Sequence, residues 1–266
     1  MGQLFTVAPF FKKEMLIVEE KYPEMYDRPE NGSVAGSGIY WLVCYFMIPF
    51  VTVFLSWAFS DYIFAVVGVD LCTYIFSFIC MLALFRQYLA DSFLNVSINK
   101  GVFIKTVSIS AGLILVFEFV TLFLGGNAAL AAFPISETSM VASTSFVVLG
   151  SPILGFLCVT VLTPVTVSCM FYATVFAPIA CKRPWLGYGV LAVLLLFPRL
   201  LSTYLLQVGQ YDISLYCLQL PIHMIACRAY QKTNTIWAPI IALSITNLAT
   251  CVLLYIWYLQ GYIYIT

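Results

Sequence analysis

Ser168 and His223 both fall near the middle of long apolar segments, and together they would form a minimal nucleophile and base. Neither an orienting third group nor a Gly-rich nucleophile turn accompanies them. A serine in such a segment commonly bonds back to its own helix, and a lone histidine there is more often a packed neutral residue. The remaining chemistry-bearing groups in the apolar region are Asp70, Glu118 and Arg199. A charge at the bilayer centre costs about 2.5–3.5 kcal/mol on insertion scales, so each needs a partner. Counted from the outer ends of their segments, all three lie roughly 9–11 Å deep at 1.5 Å per residue. That equal depth predicts pairing of Arg199 with Glu118, with Asp70 as the alternative or third member. Such a polar cluster would either lock helices together or line a pocket open to the outer face.

Other chemistries are poorly represented. The nine cysteines contain no Cys-x-x-Cys pair and fall mostly inside apolar runs, so neither a metal site nor a disulfide framework is expected. No cofactor motif is visible. With twelve basic and twelve acidic residues, the chain offers no basic face to nucleic acid. No acidic residue lies between Glu137 and Asp212.

The elements that must position these groups belong in a membrane. Of 266 residues, 62% are hydrophobic and only 9% charged, with a mean hydropathy of +0.99. So few charges cannot cover a water-soluble surface of this size. The fold class expected is all-α: a polytopic integral membrane protein of about seven transmembrane helices, in contact with the lipid bilayer. The spans read as Ile39–Ser60, Ile63–Phe85, Val102–Leu124, Phe146–Cys181, Trp185–Leu206, Ile213–Ala229 and Ile236–Leu259. Residues 146–181 fit one crossing or two. Arg86, Lys100, Lys105, Lys182, Arg183, Arg228 and Lys232 all fall on one side only if this stretch crosses once. The same arithmetic places the N-terminus in the cytoplasm and predicts a break or kink near Pro152 and Pro164. Which membrane is involved is not legible.

Residues 1–38 form a separate segment, and 39–266 the multi-span domain. Phe11, Met15, Val18 and Tyr22 recur at helical spacing beside Lys12, Lys13, Glu19 and Glu20, as expected of an amphipathic surface helix. Pro23, Pro29 and the run from Asn31 to Gly38 then form a hinge. The first long apolar run begins near Ile39, so no cleavable signal peptide is expected.

Two stretches carry a resemblance. Leu162-Thr163-Pro164-Val165-Thr166-Val167-Ser168-Cys169-Met170-Phe171-Tyr172-Ala173 matches the frame Pro-x-x-Glu-Glu-x-x-Phe-Arg-Gly, and Thr233-Asn234-Thr235-Ile236-Trp237-Ala238-Pro239 leads into a helix bearing Asn247. Over residues 155–255 the chain resembles the CAAX-protease and bacteriocin-processing (CPBP) family of intramembrane proteases. That family activates water with a glutamate pair, an arginine, two histidines and an asparagine. Carried onto this sequence, the glutamate positions hold Val167 and Ser168, and the arginine position holds Tyr172. The histidine positions hold Leu201, four residues after Phe197, and Leu243, four before Asn247. Pro164, Phe171, Phe197 and Asn247 remain. Valine, serine and leucine neither take a proton from water nor bind a metal, so the family chemistry cannot run.

The resemblance therefore implies a catalytically inactive intramembrane pseudo-protease, acting as a binding, scaffold or regulatory subunit with a membrane-protein partner. One alternative is an active intramembrane peptidase using non-family residues such as Ser168 and His223. Another is a transport component with an outer polar pocket formed by Asp70, Glu118, Arg199 and His223.

Overall fold

The computed structural model describes residues 62–132, 152–180, 183–205 and 213–260; within these, the side chains of 62–70, 73, 98, 122–132, 197–205 and 213–219 are outside the description. Among these residues every regular element is helical. Helix α1 spans Tyr62–Ile98, α2 Lys100–Ala132, α3 Pro152–Ala180, α4 Pro184–Leu205, α5 Ile213–Thr233 and α6 Trp237–Leu259.

Burial along α1 and α2 follows the helical period. On α1 the buried positions are Tyr74, Ser77, Met81, Phe85, Tyr88, Leu89 and Ser92. On α2 they are Phe103, Thr106, Val107, Ser110, Ala111, Ile114, Glu118 and Thr121. Steps of three and four put each set on one stripe. The opposite faces carry Ile75, Phe76, Ile79 and Leu82 on α1, and Ile104, Leu113, Val116, Phe119 and Val120 on α2, all exposed. Polar side chains thus point inward and large apolar ones outward. Water would reject that arrangement; lipid favours it. Within the described residues Tyr74–Ser97, Lys100–Thr121, Pro152–Ala180 and Trp237–Leu259 are long and apolar enough to cross a membrane. The chain is a multi-helix membrane protein.

The helices pack around α3, α5 and α6. Helix α5 lies along α2 and also meets α6 and α4; α6 lies along α2 and α3; α1 meets α3. Tyr88 and Tyr230 share a 2.7 Å hydrogen bond that ties α1 to α5. The turn between α5 and α6 is fastened to the end of α1. Asn234 closes α5 with φ 51°, a left-handed cap that asparagine tolerates better than most residues. Thr235 Oγ1 sits 2.9 Å from Ser92 Oγ, the Ile236 N–H donates to Ser92 Oγ at 3.0 Å, and Trp237 Nε1 donates to the Leu89 carbonyl at 2.9 Å. The Thr235-Ile236-Trp237 stretch is therefore a helix-turn clasp. At the same end of the bundle Tyr188 of α4 donates to Gln231 Oε1 at 2.9 Å. The basic residues Lys100, Arg183 and Lys232 consequently gather at one end, and all three are exposed.

Several span boundaries differ from the sequence reading. Helix α1 does not stop at Phe85 but continues to Ile98, so Arg86 stands on an exposed helical face rather than in a loop. Tyr62–Ile98 has 37 residues, more than a bilayer requires. Residues 152–180 form one continuous rod of 29 residues, the length of a single tilted crossing. The spans expected at Ile39–Ser60 and the surface helix expected in residues 1–38 lie outside the described residues.

Candidate functional site

Helix α3 is the element on which the motif positions fall, and its backbone is unusual. Pro164 interrupts the α ladder because it has no N–H and its ring crowds the carbonyl four residues back. The chain widens to a π turn over Cys158–Leu162, just before the proline; a short α segment Thr163–Val167 and a second π segment Ser168–Phe176 follow. In the first π turn the Thr163 N–H reaches the Cys158 carbonyl, five residues back. In that register Pro164 should serve the Val159 carbonyl, and it has no proton to give. Asn247 of α6 fills the vacancy: its Nδ2 donates to Val159 O at 2.9 Å. Proline at 164 and asparagine at 247 thus act as one device, joining α3 to α6. Threonines back-bond along the same rod, Thr160 to Phe156 O at 2.6 Å, Thr166 to Leu162 O at 2.9 Å, and Thr174 to Met170 O.

The other motif positions of α3 fall at the end of the short α segment and in the second π segment. Val167, Ser168, Phe171 and Tyr172 are all buried. Tyr172 OH lies 2.8 Å from Nδ1 of His223 on α5, and the two rings meet edge to face. Tyr172 is thus engaged with the chain's one histidine. Ser168 behaves differently from the expectation. Its Oγ is buried without any hydrogen-bond partner, so it neither bonds back to its own helix nor meets His223. A serine whose hydroxyl touches no base has no means of activation, and the Ser168–His223 dyad is not formed.

Leu243 and Asn247 lie on the buried face of α6, which packs along the α3 segment Thr163–Val167. The structure thus brings Val167, Ser168, Tyr172, His223, Leu243 and Asn247 into the same interior, where α3, α5 and α6 meet. Phe197 and Leu201 lie on α4, but their side chains are outside the described residues.

The expected charge cluster is described only in part. Glu118 is 2% exposed, and its Oε2 lies 2.6 Å from Thr250 Oγ1 of α6; Oε1 has no hydrogen-bond partner. Asp70 and Arg199 fall on α1 and α4, with side chains outside the description. Three polar contacts between helices were not visible in the sequence: Tyr172 with His223, Glu118 with Thr250, and Asn247 with the Val159 carbonyl. Their separations of 51, 132 and 88 residues leave no local pattern to read. Among the described residues no group of three or more His, Cys, Asp or Glu side chains is placed to hold a metal ion.

No family model, no curated protein and no solved structure matches this chain.

Proposed function

We propose that this protein is a catalytically inactive intramembrane scaffold, a degenerate relative of the CPBP proteases, that serves as a binding or regulatory subunit of a membrane complex. The observation that carries the reading is the state of Ser168, a buried hydroxyl with no base on it, at the position where the resemblance requires a carboxylate. Around it, the would-be catalytic positions are occupied by packing. Val167 and Leu243 are buried aliphatic side chains, and Tyr172 is engaged by His223. Asn247, which the family uses in chemistry, is here spent on the Val159 carbonyl. Such an interior holds helices in place and offers no water a base. The outward aromatic side chains Phe76 on α1 and Phe117 and Phe119 on α2 provide faces on which a partner helix would pack.

A serine-directed fluorophosphonate applied to native membranes separates this reading from a hydrolase. The expected result is no adduct on Ser168. An adduct on Ser168 that disappears in His223→Ala would overturn the proposal and restore the dyad.

A further inference from the structure

Glu118 is the one acidic side chain buried among the described residues. Its partner Thr250 makes two contacts through a single oxygen. Thr250 Oγ1 lies 2.6 Å from Glu118 Oε2 and 3.0 Å from the Thr246 carbonyl, one turn back on α6. A hydroxyl has one proton to donate, and a carboxylate and a carbonyl only accept. With Glu118 ionised, that proton would serve one contact and leave the other as two lone pairs facing each other. Both contacts are satisfied together in one arrangement only. A proton on Oε2 is donated to Thr250 Oγ1, and Thr250 donates its own proton to the Thr246 carbonyl.

Oε1 points to the same state. A buried carboxylate oxygen without a donor carries an uncompensated charge, whereas the carbonyl oxygen of a neutral acid is far less costly to leave bare. No lysine or arginine is buried among the described residues. The titratable side chains buried on the helices packed against α2 are Cys251 on α6, His223, Cys227 and Tyr230 on α5, and Tyr74 and Tyr88 on α1. Of these only His223 can carry a positive charge, and its Nδ1 is bonded to Tyr172. Along α2, Glu118 stands roughly 27 Å from Lys100 at 1.5 Å per residue, far from the basic end.

We propose that Glu118 is a proton-binding site within the membrane, a carboxylic acid at the crossing of α2 and α6 that donates to Thr250 when loaded. The inference goes beyond the scaffold role and does not depend on it.

Native membranes containing the full chain are treated with dicyclohexylcarbodiimide, an apolar reagent that acts on protonated carboxyls. The O–H adds across one C=N bond, oxygen to carbon and proton to nitrogen, and the acyl group then migrates to nitrogen; nothing leaves. The expected result is one retained reagent on Glu118 by peptide mass spectrometry, declining as pH is raised and absent in Glu118→Gln. The wild-type protein should also show the infrared carbonyl band of a protonated acid, shifted in Thr250→Val. This second measurement needs no Glu118 variant to fold. Absence of both the adduct and the band would overturn the proposal. Labelling of Glu118 by a water-soluble carbodiimide alone would also overturn it, by making the group a water-facing carboxylate. Protection by sodium ion at fixed pH would do the same, by making the site a cation site.

Discussion

Asn247 supplies a donor at the one carbonyl in α3 that the π register and Pro164 jointly leave open. Replacing it with leucine should strand that carbonyl in an apolar interior and cost about 1–2 kcal/mol of stability, read by thermal unfolding in detergent. An unchanged unfolding curve would mean that water or another donor serves Val159. Ser168→Ala should behave oppositely, because it removes a buried hydroxyl that bonds to nothing. Stability should stay level or rise by up to about 1 kcal/mol, and a loss larger than that would reveal a partner. At this scale the sequence was partly legible. The apolar run that holds Val167 and Tyr172 and the span that holds Asn247 were readable as helices. The use to which each is put was not, because the contacts lie between residues far apart in the chain. Nor could the sequence tell that Ser168 would fail to back-bond while its threonine neighbours succeed.

At the scale of elements, glycine marks where helices approach. A Cβ on Gly187 of α4 would stand 3.0 Å from the Ala180 Cβ and 3.2 Å from the Phe176 ring. The alanine Cβ is fixed to its backbone and cannot turn away, so α3 and α4 must separate. Gly187→Ala should destabilise by about 1–3 kcal/mol. A Cβ on Gly112 of α2 meets nothing within 4 Å, so Gly112→Ala should be neutral or stabilising by up to about 1 kcal/mol through helix propensity. Equal effects of the two substitutions on the unfolding midpoint would contradict this packing. Helix existence was readable from apolar length, and the starts of α2, α4 and α6 fell within two residues of expectation. The end of α1 was not: Arg86 suggested a loop, yet it is exposed on a helix that runs on to Ile98. Charge marks exposure, and in a long helix exposure does not imply an end.

For the whole molecule, the clasp between Ser92 and Thr235 and the bond between Tyr188 and Gln231 fix sidedness. They place the turns near Lys100, Arg183 and Asn234 at one end of the bundle. Cysteines introduced singly at Asn99, Arg183 and Asn234 should therefore react with an impermeant maleimide from one and the same side. Reaction of Arg183→Cys from the opposite side would break the single crossing of α3. Composition alone announced a membrane protein, since 9% charged residues cannot clothe a soluble chain of 266. Function was less legible, because the resemblance rests on a frame whose chemical residues are replaced.

The scaffold account is tested most directly by purifying the tagged chain from its native membrane in a gentle detergent and determining the identity and stoichiometry of what accompanies it. The account predicts a membrane protein in fixed ratio, one that loses stability or activity when this chain is deleted. A solitary monomer that cleaves peptides, and loses that activity on a single substitution in this chain, would contradict it.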